Sequence, residues 1–235
     1  MILHGTGSTR LCITQPDHAA LSGRIMAAWR ADGFEDSPRR EVILLAIREH
    51  DNGWREPDSA PILDAGGAVL DFTNAPDEVR RAVWPRGTAR LAHEPYAAAL
   101  VAMHATHVLR RYRGQPAWLR FFDEMDRARA HHLESAGESP GTLAQDYLFV
   151  RVGDLLSLTF CNGWTSEQRD DSGSGYSTRL EGDRLLVTPD PFGGNEVTLE
   201  VEARELPERF ASQAEAKSVF AAARQITLTG TAAAV

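Results

Sequence analysis

The feature that most constrains the fold is an apolar run that leads into a histidine–aspartate pair. Residues 42–47 read Val-Ile-Leu-Leu-Ala-Ile, and His50 and Asp51 follow one turn later. A helix that is apolar nearly all round must be buried among other elements. His50 continues the face of Ile43, and Gly53 is expected to end the helix. The chain is therefore expected to place two ionisable side chains inside a helical core.

Two further histidines lie in predicted helices. His18 follows Asp17, which is the expected N-cap, in a helix whose end is marked by Gly33. His104 lies in a helix predicted over residues 95–113, which begins with a proline. Both histidines share the apolar stripe of their helix, so both are expected to face the core.

An aspartate in the most apolar helix needs a compensating partner. Asp154 lies in the middle of a helix predicted over residues 142–163, and an uncompensated buried carboxylate is strongly destabilising. Arg151, one turn earlier, is one candidate partner, and a metal ion is the other. Imidazole and carboxylate ligands together suit Fe, Mn, Co or Zn, whereas Mg or Ca would favour oxygen ligands alone. A site for one or two such ions would draw on His18, His50, Asp51, His104 and Asp154.

The character of the sequence changes after residue 164. Residues 165–176 are polar and rich in Gly and Ser, which predicts a linker. Beyond it, strands are predicted at residues 184–188, 196–204 and 225–229, with a short helix at 211–222. These strands are too few to predict an independent domain. A strand predicted at residues 10–14 is a candidate to join them.

The expected architecture is mainly α. Residues 1–164 are predicted to form a helical bundle, and residues 165–235 to form the linker and a small C-terminal β-sheet annex packed on it. Residues 55–75, rich in Pro, Asp and Gly, are predicted as a long loop of the kind that is often functional. Helices are also predicted at residues 76–84 and 116–134.

Composition limits the classes of function. The 235 residues carry a net charge of −8 and a single lysine, Lys217, which argues against a general nucleic-acid binder and against a catalytic lysine. Two cysteines do not make a disulfide scaffold, and the sequence shows neither a signal peptide nor an apolar run of membrane-spanning length. The protein is expected to be cytoplasmic and to act on a small molecule, with a phosphorylated compound as one candidate. A homodimer is compatible with the sequence.

The order of the candidate ligands resembles two families. His18, then His50-Asp51, then Asp154, each on its own helix, resembles the HD superfamily of metal-dependent phosphohydrolases. His104 is similar to the extra ligands of members that hold two metals. A longer string also resembles a bacterial family without assigned function, domain of unknown function family 3891. That string is Gln15-Pro16-Asp17-His18, His50-Asp51-Asn52-Gly53-Trp54, Leu100-Val101-Ala102-Met103-His104 and Asp154-Leu155-Leu156-Ser157-Leu158.

The HD resemblance implies a helical bundle in which a water activated by the metal attacks phosphorus. It implies a first ion held by His18, His50, Asp51 and Asp154. His104 would bind a second ion or face the substrate, and Asp51 would bridge to the water or orient it. Asp51 and His104 are therefore the catalytic candidates.

Substrate binding is assigned to residues near the catalytic candidates Asp51 and His104. The candidates are His107, Arg55 and Trp54, and in the absence of a nearby lysine the phosphate charge would be met by Arg48, Arg55 or Arg151. Trp54 either closes over the site or plugs the end of the bundle, and its large area favours the plug.

Two other functions fit the same residues. Some HD-like proteins hold two irons and activate oxygen, and a helical binding protein could keep the ligands as a polar core without catalysis. A helix C-terminus alone stabilises a protonated His50, but it disfavours Asp51. His131 and His132 read as the end of a surface helix.

Overall fold

A seven-stranded mixed sheet curls into a half-barrel against the helices in the computed structural model of the protein. The structure describes residues 1–5, 9–171 and 173–235. Helices account for 49% of the chain and strands for 19%. The prediction of a mainly α bundle with a small β-sheet annex is therefore wrong.

The strands come from both ends of the chain, which is why the sheet is larger than predicted. In chain order they are β1 (Ile2–His4), β2 (Thr9–Ile13), β3 (Gln168–Arg169), β4 (Ser177–Glu181), β5 (Arg184–Thr188), β6 (Val197–Pro207) and β7 (Gln225–Ala234). Their order across the sheet is β1-β2-β6-β7-β5-β4-β3. β5 and β7 run parallel, and the other neighbours run antiparallel. The strand predicted near residue 12 does join the C-terminal strands, since β2 pairs with β6.

The last strand, β7, is longer than the sequence pattern predicts. A strand is predicted only near residues 225–229, and the alanines at 232–234 belong to a residue type that is depleted in strands. β7 nevertheless continues to Ala234, with β5 on one side and β6 on the other. Ala232 is fully buried there. Pairing on both edges and burial therefore override the weak propensity.

The helices lie mostly between β2 and β3. They are α1 (Gln15–Ala27), α2 (Arg40–Glu49), α3 (Asp77–Arg90), α4 (Pro95–Val108), α5 (Leu119–Ser135), α6 (Pro140–Asn162) and, between β6 and β7, α7 (Gln213–Ala222). α1 packs on α2, α6 and β6, and α4 packs on α2, α3, α5 and α6. α1 and α6 each contact both other helices and strands of the sheet.

Several helix ends differ from those predicted. The N-cap of α1 is Thr14, whose hydroxyl accepts a hydrogen bond from the backbone N–H of Asp17 at 3.2 Å, so Asp17 lies inside the first turn. α1 ends at Ala27, before Gly33. α3 continues past the predicted end to Arg90, with Pro85 in its interior.

The predicted loops contain short elements. Short 3-10 helices span Asn52–Trp54, Pro57–Ser59, Arg110–Tyr112 and Pro116–Trp118. The last two replace the end of the helix predicted over residues 95–113 and the start of that predicted over 116–134. The segment 165–176, predicted as a linker, holds β3, and residue 172 within it lies outside the described residues.

Helices and sheet share a continuous apolar core. Its buried members include Ile25 and Val150 from helices and Leu185 and Val201 from strands. Trp29, just after α1, is only 1% exposed and connects the two layers. Its ring lies 4.7 Å from that of Tyr176 and 6.1 Å from that of Phe192, measured between centroids. The domain division at residue 164 stays a prediction.

Within the described chain, no helix is both long and apolar enough to cross a membrane.

Candidate metal centre

Four helices bring the five predicted ligands together at one point. His18 lies on α1, His104 on α4 and Asp154 on α6, while His50 and Asp51 directly follow α2. The three imidazoles are almost completely buried, and the carboxylates are nearly so, with side-chain exposures of 8% for Asp51 and 15% for Asp154. The sequence pattern therefore identified a real cluster, although it placed that cluster in the wrong fold class.

Two glycines allow the helices to approach closely enough to form the cluster. A Cβ on Gly153 would lie 2.7 Å from the hydroxyl of Ser22 and 2.8 Å from Cγ of Met26, both on α1. A Cβ on Gly53 would lie 1.8 Å from the backbone oxygen of Val83 on α3. Gly153 precedes Asp154 directly, so it sets the distance between the helices that carry His18 and Asp154.

Replacing Gly153 with alanine is expected to destabilise the protein by about 1–3 kcal/mol, the usual effect of overpacking a close contact. Thermal or denaturant unfolding measures this change. Gly141→Ala is the matched control on the same helix, because its nearest neighbour would be the Ser139 hydroxyl at 3.7 Å. Equal stability of the two variants would contradict the close-approach argument.

The ring nitrogens and carboxylate oxygens of the cluster face each other at short range. Nε2 of His18 lies 2.9 Å from Oδ2 of Asp51 and 3.9 Å from Oδ1 of Asp154. Nε2 of His50 lies 3.5 Å from Oδ2 of Asp51 and 3.4 Å from Oδ1 of Asp154. Nε2 of His104 lies 3.7 Å from Oδ2 of Asp154. All three Nε2 atoms thus converge on the two carboxylates.

The opposite nitrogen of each histidine is held by a neighbour outside the cluster. Nδ1 of His50 donates to the backbone oxygen of Ile47 at 2.8 Å, and Nδ1 of His104 lies 3.1 Å from the hydroxyl of Tyr147. Nδ1 of His18 lies 2.9 Å from the hydroxyl of Ser157. This arrangement is typical of metal-binding histidines, whose second nitrogen is fixed by a hydrogen bond.

The contact of His18 with Ser157 fixes the direction of one hydrogen bond. The hydroxyl of Ser157 donates to the backbone oxygen of Asp154 at 3.0 Å, so it accepts from Nδ1 of His18. A neutral His18 then turns the lone pair of Nε2 toward a carboxylate oxygen of Asp51. Two electron-rich atoms at that separation are stabilised by a cation, either a proton or a metal ion.

The charges of the cluster are strongly coupled. Burial lowers the pKa of His50, but the carboxylates of Asp51 and Asp154 outweigh that effect and raise the pKa to about 9. Burial raises the pKa of Asp154, but the surrounding imidazoles, first that of His50, hold it well below its ordinary value. Burial lowers the pKa of His104 to about 3. At neutral pH a proton on His50 therefore takes the place that a metal cation would fill.

Two buried atoms of the cluster lack hydrogen bonds. Within the described residues, neither Nε2 of His50 nor Oδ1 of Asp51 has a hydrogen-bond partner. Buried polar atoms are normally satisfied, so an unsatisfied nitrogen and an unsatisfied carboxylate oxygen in one cluster are consistent with room for a cation. Imidazole nitrogen with carboxylate oxygen is a donor set that transition metals accept. The residues therefore fit such an ion.

The potential ligand atoms form two overlapping groups. His18, His50 and Asp51 form one, and His50, His104 and Asp154 form the other, with the ligand atoms of each group lying within 4.8 Å of one another. His50 belongs to both groups, yet only its Nε2 is free, because Nδ1 donates to Ile47. One nitrogen lone pair binds one metal ion, so this geometry favours a single ion centred on His50.

Arg151 is not the partner of Asp154. Its guanidinium instead lies 3.4 Å from Oδ2 of Asp170 and stacks over the ring of Tyr147. The alternative interpretation of Asp154 as half of an Arg–Asp pair is therefore wrong. Its carboxylate is compensated by the histidines.

Two pockets reach the cluster, and both are lined by His104 and Asp154. The first, of about 200 Å³, is lined by Asp51, His104 and Asp154 and by Trp54, which is 4% exposed. The second is lined by His104 and Asp154 together with His107. Trp54 and His107 thus lie where a substrate could contact them, each in a different pocket.

Of the three arginines predicted to meet phosphate, Arg151 lines the second pocket, whereas Arg48 and Arg55 lie elsewhere. Arg55 is half-exposed and pairs with Glu49 at 2.7 Å, and Arg48 is also exposed. Neither lies among the lining residues of the first or the second pocket. His131 and His132 lie near the end of α5 at the surface, as predicted.

Sequence reasoning missed several residues that shape the site. Ser157 holds His18, and Tyr147 holds His104. Both share a face of α6 with Asp154, three and seven residues away, so helical spacing could have found them. Arg80 and Arg111 line the first pocket but come from distant segments. No local pattern connects those two arginines to the cluster.

Comparison with known proteins gives a family but no function. Residues 1–208 match the model of a family described as "Protein of unknown function (DUF3891)". No curated protein and no solved structure matches the chain.

Proposed function

The chain belongs to the DUF3891 family, and we propose that it is a metal-dependent phosphohydrolase that cleaves a small phosphoester or nucleotide. The observation that carries the proposal is the buried cluster in which three anchored histidines turn Nε2 toward two carboxylates beside a pocket. The argument for phosphorus is the order His18, His50-Asp51, Asp154, which resembles that of HD phosphohydrolases.

The ion would be held by His50, Asp51 and Asp154, with His18 as a further ligand. A bound transition metal would lower the pKa of a water and polarise a phosphoryl oxygen. The fixed Nδ1 bonds of His18 and His50 keep both rings in the orientation that presents Nε2, so little reorganisation is needed when an ion binds.

The reaction needs a site that can receive a proton from the attacking water. Oδ1 of Asp51 has no hydrogen-bond partner in the described chain, and Asp51 is among the residues that line the first pocket. As the water oxygen bonds to phosphorus, the ester P–O bond breaks, and the proton taken up by Asp51 passes to the leaving oxygen. His104 stays neutral, since burial depresses its pKa, and faces the reacting group from the pocket wall.

The alternative of an oxygen-activating di-iron centre has less support. Two ions would each need their own set of ligands, whereas the two ligand groups compete for Nε2 of His50. A single ion suits hydrolysis by an activated water.

Hydrolysis of phosphomonoesters and nucleotides by protein loaded with Mn, Fe, Co or Zn tests the proposal. We expect phosphate release with at least one of these metals and its loss in Asp51→Asn, since the amide can neither take up the proton nor replace the charge. Asp123→Asn is the matched control, because that exposed carboxylate on α5 only pairs with Arg127. Metal-loaded protein that releases no phosphate from any of these esters would contradict the proposal.

A further inference from the structure

The lining of the first pocket includes two arginines besides the acidic and histidine residues of the cluster. Arg80, on α3, and Arg111, in the 3-10 helix after α4, both line it, and so do Asp51, His104 and Asp154 of the cluster. Most of the other residues that line this pocket are apolar. These apolar residues are Trp54, Phe72, Trp84, Val108, Leu109 and Leu158.

Both arginines are held by the same tyrosine. Nη1 of Arg80 donates to the hydroxyl of Tyr112 at 2.6 Å, and Nη2 of Arg111 donates to it at 2.9 Å. The guanidinium carbons lie 4.9 and 4.8 Å from the centre of the Tyr112 ring. That ring in turn stacks on Trp118 at 4.5 Å with an angle of 15° between the planes. The two cations are therefore fixed in position before any ligand binds.

The local charge is not balanced. Asp77 pairs with Arg80, whereas no described carboxylate pairs with Arg111. The Nε of Arg80 is buried without a hydrogen-bond partner in the described chain, on a side chain that is 12% exposed. Two guanidinium groups with one carboxylate leave an excess positive charge, and the planar fork of arginine suits carboxylate and phosphate oxygens.

We infer that Arg80 and Arg111 bind a second anionic group of the substrate, at the opposite end of its apolar part from the group at the metal. The inference rests on the proposed function only for the identity of the reacting group. The substrate would then be a small molecule with a flat, apolar central part and an anionic oxygen group at each end. The tryptophans of the pocket wall suit such a central part, because they offer large apolar faces.

Calorimetric binding of terephthalate and benzoate to the metal-loaded protein tests the inference. Both have an aromatic middle and one carboxylate for the metal end, but only terephthalate carries a second carboxylate. We expect terephthalate to bind about tenfold more tightly or better, the gain of one charge-assisted hydrogen-bonded contact. Arg111→Gln, at an exposed position that tolerates the change, should abolish this preference and leave benzoate binding unchanged.

Arg127→Gln is the matched control, since Arg127 is an exposed arginine on α5 that pairs with Asp123 and should keep the preference. Tyr112→Phe tests the positioning role of the hydroxyl and should weaken terephthalate but not benzoate. Equal binding of the two acids by the unaltered protein, or a preference that survives Arg111→Gln, would overturn the inference. A binding preference without phosphate release would contradict the proposed hydrolase and leave the anion site standing.

Discussion

The His50→Gln variant is expected to lose metal binding almost completely. His50 is the member shared by both ligand groups, and its only free nitrogen faces Asp51 and Asp154. Loss of an outer hydrogen bond to a ligand already weakens metal binding by about 10- to 100-fold, so loss of the central ligand should exceed that range. Titration of metal-free protein with Zn or Mn, followed by elemental analysis after desalting, measures the effect.

His131→Gln is the matched control, because His131 is exposed on α5 and lies outside both ligand groups. It should bind metal like the unaltered protein. Circular dichroism of both variants separates loss of a ligand from loss of the fold. Stoichiometric metal binding by a folded His50→Gln protein would contradict a metal centre built on His50.

The Trp29→Ala variant is expected to lose about 3–5 kcal/mol of unfolding free energy, the range found when a buried large aromatic is removed. Trp29 is 1% exposed and contacts Tyr176 and Phe192, so it joins the helices to the sheet side of the core. Because that core is continuous, we expect helix and sheet signals to lose stability together in one transition. Denaturant unfolding followed by near- and far-ultraviolet circular dichroism measures both properties.

Leu119→Ala provides the comparison for this result. Leu119 is 55% exposed at the start of α5, so its truncation should change stability by less than about 0.5 kcal/mol. Two separate transitions in the Trp29→Ala protein, with only one of them shifted, would mean that helices and sheet fold independently. That outcome would support the domain division predicted at residue 164.

The cluster was predictable because each ligand carries a local signal. His50 and Asp51 follow an apolar helix, and Asp154 interrupts another, so burial of ionisable groups could be inferred without knowing the fold. Helical spacing also places Ser157 and Tyr147 on the face of Asp154. The close approach at Gly153 was not predictable, since it depends on which side of α1 meets α6.

The sheet was underestimated for a different reason. Strand pairing between β2 and β6 joins residues nearly two hundred positions apart, and neither strand indicates its partner. The alanines at the end of β7 have little strand propensity and become strand only between two neighbours. The arginine pair was missed in the same way, because Arg80 and Arg111 meet only through Tyr112. Long-range contacts, and not local pattern, decide these features.

Anomalous diffraction from a crystal of the Zn-loaded protein tests the central claim most directly. We expect one strong peak at the zinc edge, about 2.0–2.2 Å from Nε2 of His50 and from a carboxylate oxygen of Asp51 or Asp154. The absence of a peak between these side chains, or zinc bound only elsewhere, would contradict a metal centre built on this cluster.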